Sequence, residues 1–169
     1  MPSYLLDTDV FIHFLRGSNG RLISAVSDNI DKIFLSEISI VEILEGVAHE
    51  NEKSRRHNRK QQLINSMNQF RDILSFDDRA RDAFYGIRRT LYARYQNPLK
   101  NRHMIQRAQV QNAPQIRMDL MNAAIARSND LVVVTRNVKD YSLIPGIQVE
   151  NWVDSIQMHQ PFPLRKLRR

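Results

Sequence analysis

The sequence predicts an α/β protein, a three-layer α/β/α sandwich built around a central, mostly parallel sheet. Short apolar runs alternate with amphipathic segments along most of the chain, as strands and crossover helices do. The run at 130–135 is apolar enough to be buried on both faces, which is typical of an interior parallel strand. The chain has 169 residues, 42% of them hydrophobic, which is enough for one domain with its own core.

Each predicted strand is a short apolar run bounded by polar or turn-forming residues. We expect strands at 3–6, 32–36, 73–76, 130–135 and 147–152, the last of them at an edge of the sheet. Helices are predicted where apolar residues recur every three or four positions. We expect Thr8 or Asp9 to cap the first of them, and the others to cover 22–26, 39–46, 52–70, 77–95 and 116–127.

The domain is predicted to comprise residues 1–155. It carries an insertion near 96–114, where Asn97-Pro98 and Ala113-Pro114 interrupt regular structure. Residues 156–169 form a basic C-terminal tail.

Composition narrows the classes of partner. The formal net charge of +7 favours a polyanion, either nucleic acid or an acidic protein. The absence of cysteine excludes disulfides and thiolate metal sites and fits a reducing compartment, so we expect a cytoplasmic protein. No apolar run is long enough to span a membrane, and the N-terminus lacks the pattern of a secretory signal, so no membrane association is expected.

Asp7 and Asp9 follow the first predicted strand, at the end where open α/β sheets place their chemistry. One alternative is structural, with an aspartate capping the next helix. A second alternative is chemical, because a strand followed by Asp-x-Asp resembles the nucleophile motif of haloacid-dehalogenase-type phosphatases. That family also needs a later acidic motif, and the residues after Thr135 hold no clear acidic pair at a strand end.

Three further acids stand near predicted element ends. Glu42 has a structural alternative, since Ser39-x-x-Glu42 is a capping box. Asp119 begins a predicted helix and has the alternative of interacting with the helix dipole. Small neighbours on its face would bring that helix close to the sheet, namely Asn122, Ala123 and Ala126. Asp140 follows the strand at 130–135 and has the alternative of a surface acid paired with Arg136 or Lys139.

Taken together, these segments resemble the PIN domain family, and most closely its VapC-type toxin branch. The resemblance is carried by four segments in order: Leu5-Leu6-Asp7-Thr8-Asp9, Glu42-Ile43-Leu44-Glu45-Gly46, Asp119-Leu120-x-x-Ala123-Ala124 and Thr135-Arg136-Asn137-x-x-Asp140-Tyr141. The family usually has asparagine where this chain has Asp9, and phenylalanine where it has Tyr141. The region 50–115 lies outside the matching motifs.

The resemblance implies that four acids are catalytic and hold the metal: Asp7, Glu42, Asp119 and Asp140. It implies supporting or substrate-positioning roles for Thr135 and Asn137, with Asp9 as an extra negative charge beside them. Clustered carboxylates repel one another, and oxygen ligands without cysteine or paired histidine suit Mg²⁺ or Mn²⁺. The implied reaction is hydrolysis of RNA phosphodiesters. The implied partners are an acidic cognate antitoxin and a second copy in a homodimer.

A basic stretch is the candidate RNA track. No acidic residue occurs between Ala83 and Met118, and four aromatic residues lie among the cations there. The predicted RNA-binding residues are Arg88, Arg89, Arg94, Lys100, Arg102, Arg107 and Arg117. A second basic cluster opens the helix at 52–70, and the tail is a third. Each cluster has the alternative of a solvated face, and Phe84 the alternative of a core residue.

Three functions remain open from the sequence. The first is a Mg²⁺-dependent ribonuclease toxin of a type II pair, and the second is a PIN-type nuclease of RNA processing outside such a pair. The third is a basic RNA-binding module without activity. The RNA that would be cut and the number of metal ions are not encoded in any motif.

Overall fold

The fold is a five-stranded parallel sheet with helices on both faces, as predicted. The computed structural model of the protein describes residues 2–95 and 114–154. The strands are β1 (Tyr4–Leu6), β2 (Ile33–Ser36), β3 (Asp72–Leu74), β4 (Val132–Val134) and β5 (Gln148–Glu150). Their order in the sheet is β3-β2-β1-β4-β5, and every neighbouring pair is parallel. All five strands therefore end on one side of the sheet, which we call the carboxyl edge.

Helices connect the strands in the manner of parallel crossovers. They are α1 (Thr8–Arg16), α2 (Gly20–Asp28), α3 (Glu37–Ala48), α4 (Lys53–Met67), α5 (Asp78–Tyr95), α6 (Pro114–Ser128) and α7 (Val138–Tyr141), with a 3₁₀ turn at Ile30–Lys32. The α7 helix and the 3₁₀ turn are too short to give a periodic signal, and the sequence did not predict them. Within the described parts of the chain, every helix is too short or too polar to cross a membrane.

Two apolar clusters fill the spaces on either face of the sheet. One joins Leu6 of β1 to α1, α2, α3 and α4 through residues such as Phe11 and Leu63. The other joins Leu5 of β1 to α5 and α6 through residues such as Ile87. Adjacent residues of β1 point to opposite faces, and both faces are covered, which is the three-layer arrangement that the sequence predicted.

The strand predicted at 130–135 is an interior parallel strand, as expected, but it is shorter than predicted. Asp130 has a positive φ of 53° and belongs to the turn before β4. The strand begins at Val132 and pairs with β1 on one side and β5 on the other, while β1 occupies the centre of the sheet. β5 is an edge strand, as predicted.

Two predicted helix starts are wrong. Ser36, at the end of β2, caps α3 by accepting the Ser39 N–H at 3.0 Å. The helix therefore begins at Glu37, Glu42 lies in its middle, and the predicted Ser39–Glu42 capping box does not form. At α1, Thr8 and Asp9 lie inside the helix rather than capping it.

Other predicted boundaries agree with the structure or lie beyond it. Asp77 caps α5, accepting the Ala80 N–H at 2.8 Å, so the helix begins at Asp78, one residue after its predicted start. The predicted insertion near 96–114 falls outside the described residues except for Pro114, which begins α6. The predicted basic tail at 156–169 lies wholly outside them.

Candidate active site

Asp7 lies at the carboxyl edge, immediately after β1. Its backbone N–H donates to the Val134 carbonyl at 3.0 Å, so the pairing of β1 with β4 fixes its position. Asp7 is only 5% exposed, and its carboxyl group accepts three side-chain hydrogen bonds. Oδ1 accepts from Asn122 Nδ2 at 3.2 Å and from the Tyr141 hydroxyl at 3.0 Å. Oδ2 accepts from Thr135 Oγ1 at 2.8 Å.

These bonds, rather than a helix cap, account for the Asp7 side chain. Asp7 occupies the N-cap position of α1, but its carboxyl group makes no capping bond. Burial raises the pKa of Asp7, and the hydrogen bonds to its carboxylate, including one from the Thr8 amide, offset only part of that rise. The structure therefore places a buried acid at the carboxyl edge and fixes its orientation from three directions.

Asn122 of α6 is the centre of a buried polar network beside Asp7. Its Oδ1 accepts a hydrogen bond from Ser36 Oγ at 2.5 Å, and its Nδ2 donates to Ser39 Oγ at 3.2 Å as well as to Asp7. Asn122, Ser36 and Ser39 are all fully buried. Because every polar group has a partner, the network ties β2, α3 and α6 to the end of β1 without leaving a buried group unsatisfied.

Glu42 of α3 is half-buried and points toward the start of α1, where it accepts a hydrogen bond from the Thr8 hydroxyl. Burial raises the pKa of Glu42, and the negative charges of Asp7 and Glu45 raise it further. The bond from Thr8 acts in the opposite direction. Glu42 is therefore electrostatically coupled to Asp7, although the two residues come from separate parts of the chain.

The pKa of Asp119 is shifted far above its ordinary value. It lies in α6, beyond its first turn rather than at the predicted helix start. Burial raises the pKa of Asp119 to about 7, with further contributions from four negative charges. Those charges are, in decreasing order of effect, Asp7, Glu42, Asp140 and Asp9. Asn137 Nδ2 donates to Asp119 Oδ2 at 3.4 Å, and the Asn137 N–H donates to Thr135 Oγ1 at 3.0 Å.

Asp9 and Asp140 stand at the periphery of this group. Oδ1 of Asp9 is buried and has no hydrogen-bond partner among the residues described. Burial and the charge of Asp7 raise the pKa of Asp9, while backbone N–H groups and the charge of Arg136 lower it. Asp140 is exposed on α7 and contributes its charge to the environment of Asp119. An unpartnered carboxylate oxygen at this position is a group that a cation or a water molecule would satisfy.

The carboxylates share an electrostatic environment without forming a ready coordination shell. Over residues 2–95 and 114–154, no three acidic or histidine side chains converge closely enough to hold one ion. This agrees with the raised pKa values, since charges interact over longer distances than a metal–ligand bond allows. The structure thus brings Asp7, Glu42, Asp119 and Asp140 to one region and leaves their oxygens apart.

The structure describes the side chains of two of the seven predicted RNA-binding residues. Arg88 is half-buried and Arg89 exposed on α5, and Tyr85 of the same helix is 68% exposed. Phe84 packs edge-on against Phe76, with ring centroids 5.9 Å apart, so the core interpretation of Phe84 is confirmed. The side chains of Arg94, Lys100, Arg102, Arg107 and Arg117 lie outside what the structure describes.

Sequence reasoning missed three residues that touch this site. Ser36 gave a weak signal as a polar residue ending an apolar strand, and Ser39 was interpreted as a cap. Tyr141 offered a better signal, since it stands where the PIN pattern has phenylalanine, and its hydroxyl is the group that reaches Asp7. A polar atom added to an otherwise apolar motif position, in a fully buried side chain, has to find a partner.

Comparison with known proteins identifies the family to which the chain belongs. The PIN domain family model matches residues 4–141, and the chain belongs to that family. The haloacid-dehalogenase alternative is therefore excluded.

Within the family, the resemblance to the VapC branch is also confirmed. The chain is 27% identical to the tRNA(fMet)-specific endonuclease VapC of Salmonella typhimurium, over 90% of this chain and 99% of that protein. It is 24% identical to ribonuclease VapC2 of Haemophilus influenzae, over 90% and 100%. Its fold matches DNA-bound VapBC from Salmonella typhimurium with a TM-score of 0.70 at 23% identity, covering 90% and 99% of the two chains. It also matches DNA-bound VapBC2 from Rickettsia felis, with a TM-score of 0.68 at 19% identity, covering 88% and 98%.

Proposed function

We propose that this protein is a divalent-metal-dependent endoribonuclease and the toxin of a type II toxin–antitoxin pair. The observation that carries the proposal is the grouping of buried acids around Asp119. Burial and four neighbouring carboxylates raise the pKa of Asp119 to about 7. Such uncompensated negative charge at the carboxyl edge of an α/β sheet marks a candidate functional site. The names of the VapC relatives support RNA as the substrate.

The carboxylates fit a hard divalent cation in their chemistry. All the donors are oxygens, and one of them, Asp9 Oδ1, is buried and has no partner among the described residues. Mg²⁺ commonly binds through one or two carboxylates and keeps several waters, so three converging side chains are not required. We propose Asp7 and Asp119 as direct ligands of Mg²⁺ or Mn²⁺, with Glu42 and Asp140 acting through water or after side-chain rotation. When bound, the ion supplies positive charge for the scissile phosphate and an acidified water.

The protein's own residues supply orientation and a site for a proton. Asn122, Thr135 and Tyr141 hold the carboxylate of Asp7, and Asn137 contacts that of Asp119. Because the pKa of Asp119 is raised to about 7, this side chain is partly protonated at neutral pH in the metal-free protein. Cation binding must displace that proton, so uptake of the metal should release a proton to the buffer.

The toxin assignment implies an acidic antitoxin, which the net charge of +7 would attract. VapBC complexes among the structural neighbours support such a partner.

The homodimer and the cytoplasmic location stay predictions. Leu63 of α4 and Phe70 just after it are buried in this chain's own core, and among the described residues of α4 the exposed large apolar side chain is Ile64. Val41 and Leu44 of α3 are better candidates for a dimer contact, since both are exposed.

The test is RNA cleavage by the purified protein with Mg²⁺ or Mn²⁺, abolished by a chelator. Asp7→Asn and Asp119→Asn should each lower the rate roughly a thousandfold, equivalent to about 4 kcal/mol of transition-state stabilisation. Asp154→Asn, which changes an exposed acid outside the cluster, is the control and should retain full activity. Calorimetry in two buffers of different ionisation enthalpy should detect proton release with Mg²⁺, reduced in Asp119→Asn. Undiminished cleavage by both site variants would refute the proposal.

Expression in a bacterial host separates the remaining alternatives. A toxin should arrest growth, and coexpression of an adjacent acidic reading frame should relieve the arrest. Metal-dependent cleavage without arrest or relief would instead indicate an RNA-processing nuclease. Binding of RNA without any metal-dependent cleavage would indicate a non-enzymatic module.

A further inference from the structure

The first half of α4 is a basic surface outside the carboxylate cluster. Residues 53–60 contain five cations and no acid, and all are exposed except Arg56, which is half-buried. Burial begins only at Leu63, which belongs to the core cluster under α1 and α3. Gln62 Nε2 donates to the Leu15 carbonyl at 2.8 Å and anchors the helix to the end of α1. The basic half of α4 is therefore held in place by the other half and is itself open to solvent.

Helix stability does not explain this charge. The N-terminus of a helix carries partial positive charge, and cations in the first turn oppose it by about 0.3–1 kcal/mol each. The first turn of α4 nevertheless has no acidic residue, and Glu52, at the N-cap, makes no capping bond. Lys53, Arg55 and Arg56 thus stand where acids would stabilise the helix. Such an arrangement suits a surface that acts on an external anion.

Two of the cations are neutralised within the protein and the others are not. Arg55 pairs with Glu52 at 2.8 Å, and Arg59 pairs with Glu50 at 2.9 Å. Lys53, Arg56 and Lys60 have no carboxylate partner in the part of the chain that the structure describes. Their spacing puts them on one face of the helix. Together with three polar neighbours they line an open groove of about 680 Å³, its lining being Lys53, Ser54, Arg56, His57, Asn58 and Lys60.

We propose that this unpaired face of α4 binds the phosphate backbone of the RNA substrate. The proposal rests on the ribonuclease function proposed above. From Lys53 to Lys60 the helix rises roughly 10 Å, at 1.5 Å per residue, a length comparable to the spacing of a few consecutive phosphates of one strand. His57 and Asn58 add polar groups that can donate to phosphate oxygens, whereas the Ser54 hydroxyl already donates to Glu52 Oε1.

The lining of the groove favours RNA over an acidic protein. Stable protein interfaces have an apolar and aromatic centre, whereas nucleic-acid interfaces are polar and strongly positive. All six side chains that line this groove are polar or charged. The exposed apolar residues Val41, Leu44 and Ile64 are not part of that lining. The cationic and polar side chains of the groove are sufficient to bind the phosphates of a nucleic acid.

The test compares two double variants with the same change in total charge and the same four-residue spacing. Arg56→Gln/Lys60→Gln removes two unpaired cations, and Arg55→Gln/Arg59→Gln removes the two paired ones. Glutamine has a helix propensity close to that of lysine and arginine, so both variants should keep α4. Lys53→Gln/Arg56→Gln is a second test variant in case the first does not fold. Binding of a fluorescein-labelled, unstructured RNA is measured by anisotropy in chelator over a range of KCl concentrations, with labelled polyglutamate as a protein-like polyanion.

We expect the unpaired variant to bind RNA about tenfold more weakly, with the slope of log K against log salt reduced by about 1.4 for two lost phosphate contacts. The paired variant should change the affinity less than about twofold. Equal losses in the two variants, or no loss in either, would overturn the proposal, because then only net charge matters or the face is not used. So would a loss of polyglutamate binding with RNA binding unchanged. Failure of the nuclease function would appear separately, as absent metal-dependent cleavage in a chain that still binds RNA through this face.

Discussion

The carboxyl edge of the sheet and the basic half of α4 concentrate opposite charges in opposite environments. At the carboxyl edge, Asp7 is buried and held by three side-chain hydrogen bonds, and its neighbours raise one another's pKa values. On α4, Lys53, Arg56 and Lys60 are largely exposed and have no described carboxylate partner. Neither region is arranged as a protein minimising its own free energy would arrange it.

The two regions differ in how much of their structure is needed to hold the charged side chains in place. Buried acids can be held together only if a polar network orients them, because an unsatisfied buried charge is costly. Exposed cations need only a helix to space them, because water already screens their repulsion. The site at the carboxyl edge should therefore be sensitive to single atoms, whereas the α4 surface should respond to charge and salt.

Removing the centre of the buried network should have the largest effect on stability. Asn122→Ala deletes the group that bonds Asp7, Ser36 and Ser39, leaving a small cavity and unsatisfied partners. We expect the free energy of unfolding to fall by about 3 kcal/mol, measured by urea denaturation. Asn129→Ala is the control, since its amide bonds mainly to the Ile125 carbonyl at the end of the same helix and should cost about 1 kcal/mol. Equal losses would mean that the network does not stabilise the site.

The second prediction concerns pH. The pKa of Asp119 rises from 3.8 to about 7 on folding, so the native state binds more protons than the unfolded state between these values. The metal-free protein should therefore lose stability as pH rises from about 4 to 7, by roughly 2 kcal/mol after allowing for solvent screening of a half-buried side chain. Asp119→Asn should flatten this slope.

The matched control for the pH prediction is Asp154→Asn. The pKa of Asp154 is lowered, chiefly by its hydrogen bond from Asn151, so this acid contributes stability that is lost only as pH falls through its lowered pKa. Its replacement should leave the slope between pH 4 and 7 intact. Urea denaturation in chelator across this range gives both slopes, and Mg²⁺ should restore stability to the unsubstituted chain most strongly near pH 7. A wild-type slope that survives in Asp119→Asn would assign it to other groups.

The sequence predicted those features of the fold that follow from the alternation of apolar and polar residues. Alternating strands and helices predicted the parallel three-layer fold, and the positions after β1 and β4 placed Asp7 and Thr135 at one edge of the sheet. It failed at α3, where two serines compete for the cap and only the end of β2 decides between Ser36 and Ser39. It failed again at Asp119, because a helix start and a later turn have the same periodicity.

The side-chain contacts of the site were largely beyond sequence reasoning. That Asn122 would bridge two serines and Asp7 depends on the approach of α6 to the sheet, which Ala123 and Ala126 permit but do not specify. No motif predicts which of the five cations on α4 form ion pairs. Glu50 and Glu52 lie close in sequence both to the paired cations and to the unpaired ones. Those outcomes are fixed by three-dimensional distances, and sequence spacing constrains them only loosely.

Tyr141→Phe tests how far the carboxyl edge depends on one atom. The variant removes only the hydroxyl that donates to Asp7 Oδ1 at 3.0 Å, inside a fully buried side chain. We expect a loss of about 1 kcal/mol in unfolding free energy and a several-fold increase in the Mg²⁺ concentration for half-maximal cleavage. The KM for RNA should stay constant, because Tyr141 does not reach the groove on α4. Tyr85→Phe, at an exposed tyrosine, should change neither quantity. A stability loss without a changed Mg²⁺ requirement would limit Tyr141 to a structural role.

The smallest expected effect tests the α4 side of the comparison, because there stability and binding should change in opposite directions. Lys53→Glu places an acid at the first residue of α4, beside the positive end of the helix dipole and three residues before Arg56. This change should stabilise the protein by about 0.5 kcal/mol in urea denaturation. It should also weaken RNA binding several-fold in chelator, since it reverses one charge and engages Arg56. Lys60→Glu, farther along the helix, should weaken binding similarly without the gain in stability. If Lys53→Glu instead destabilised the protein, the cation would be serving the fold, and the charge of α4 would need no external anion to explain it.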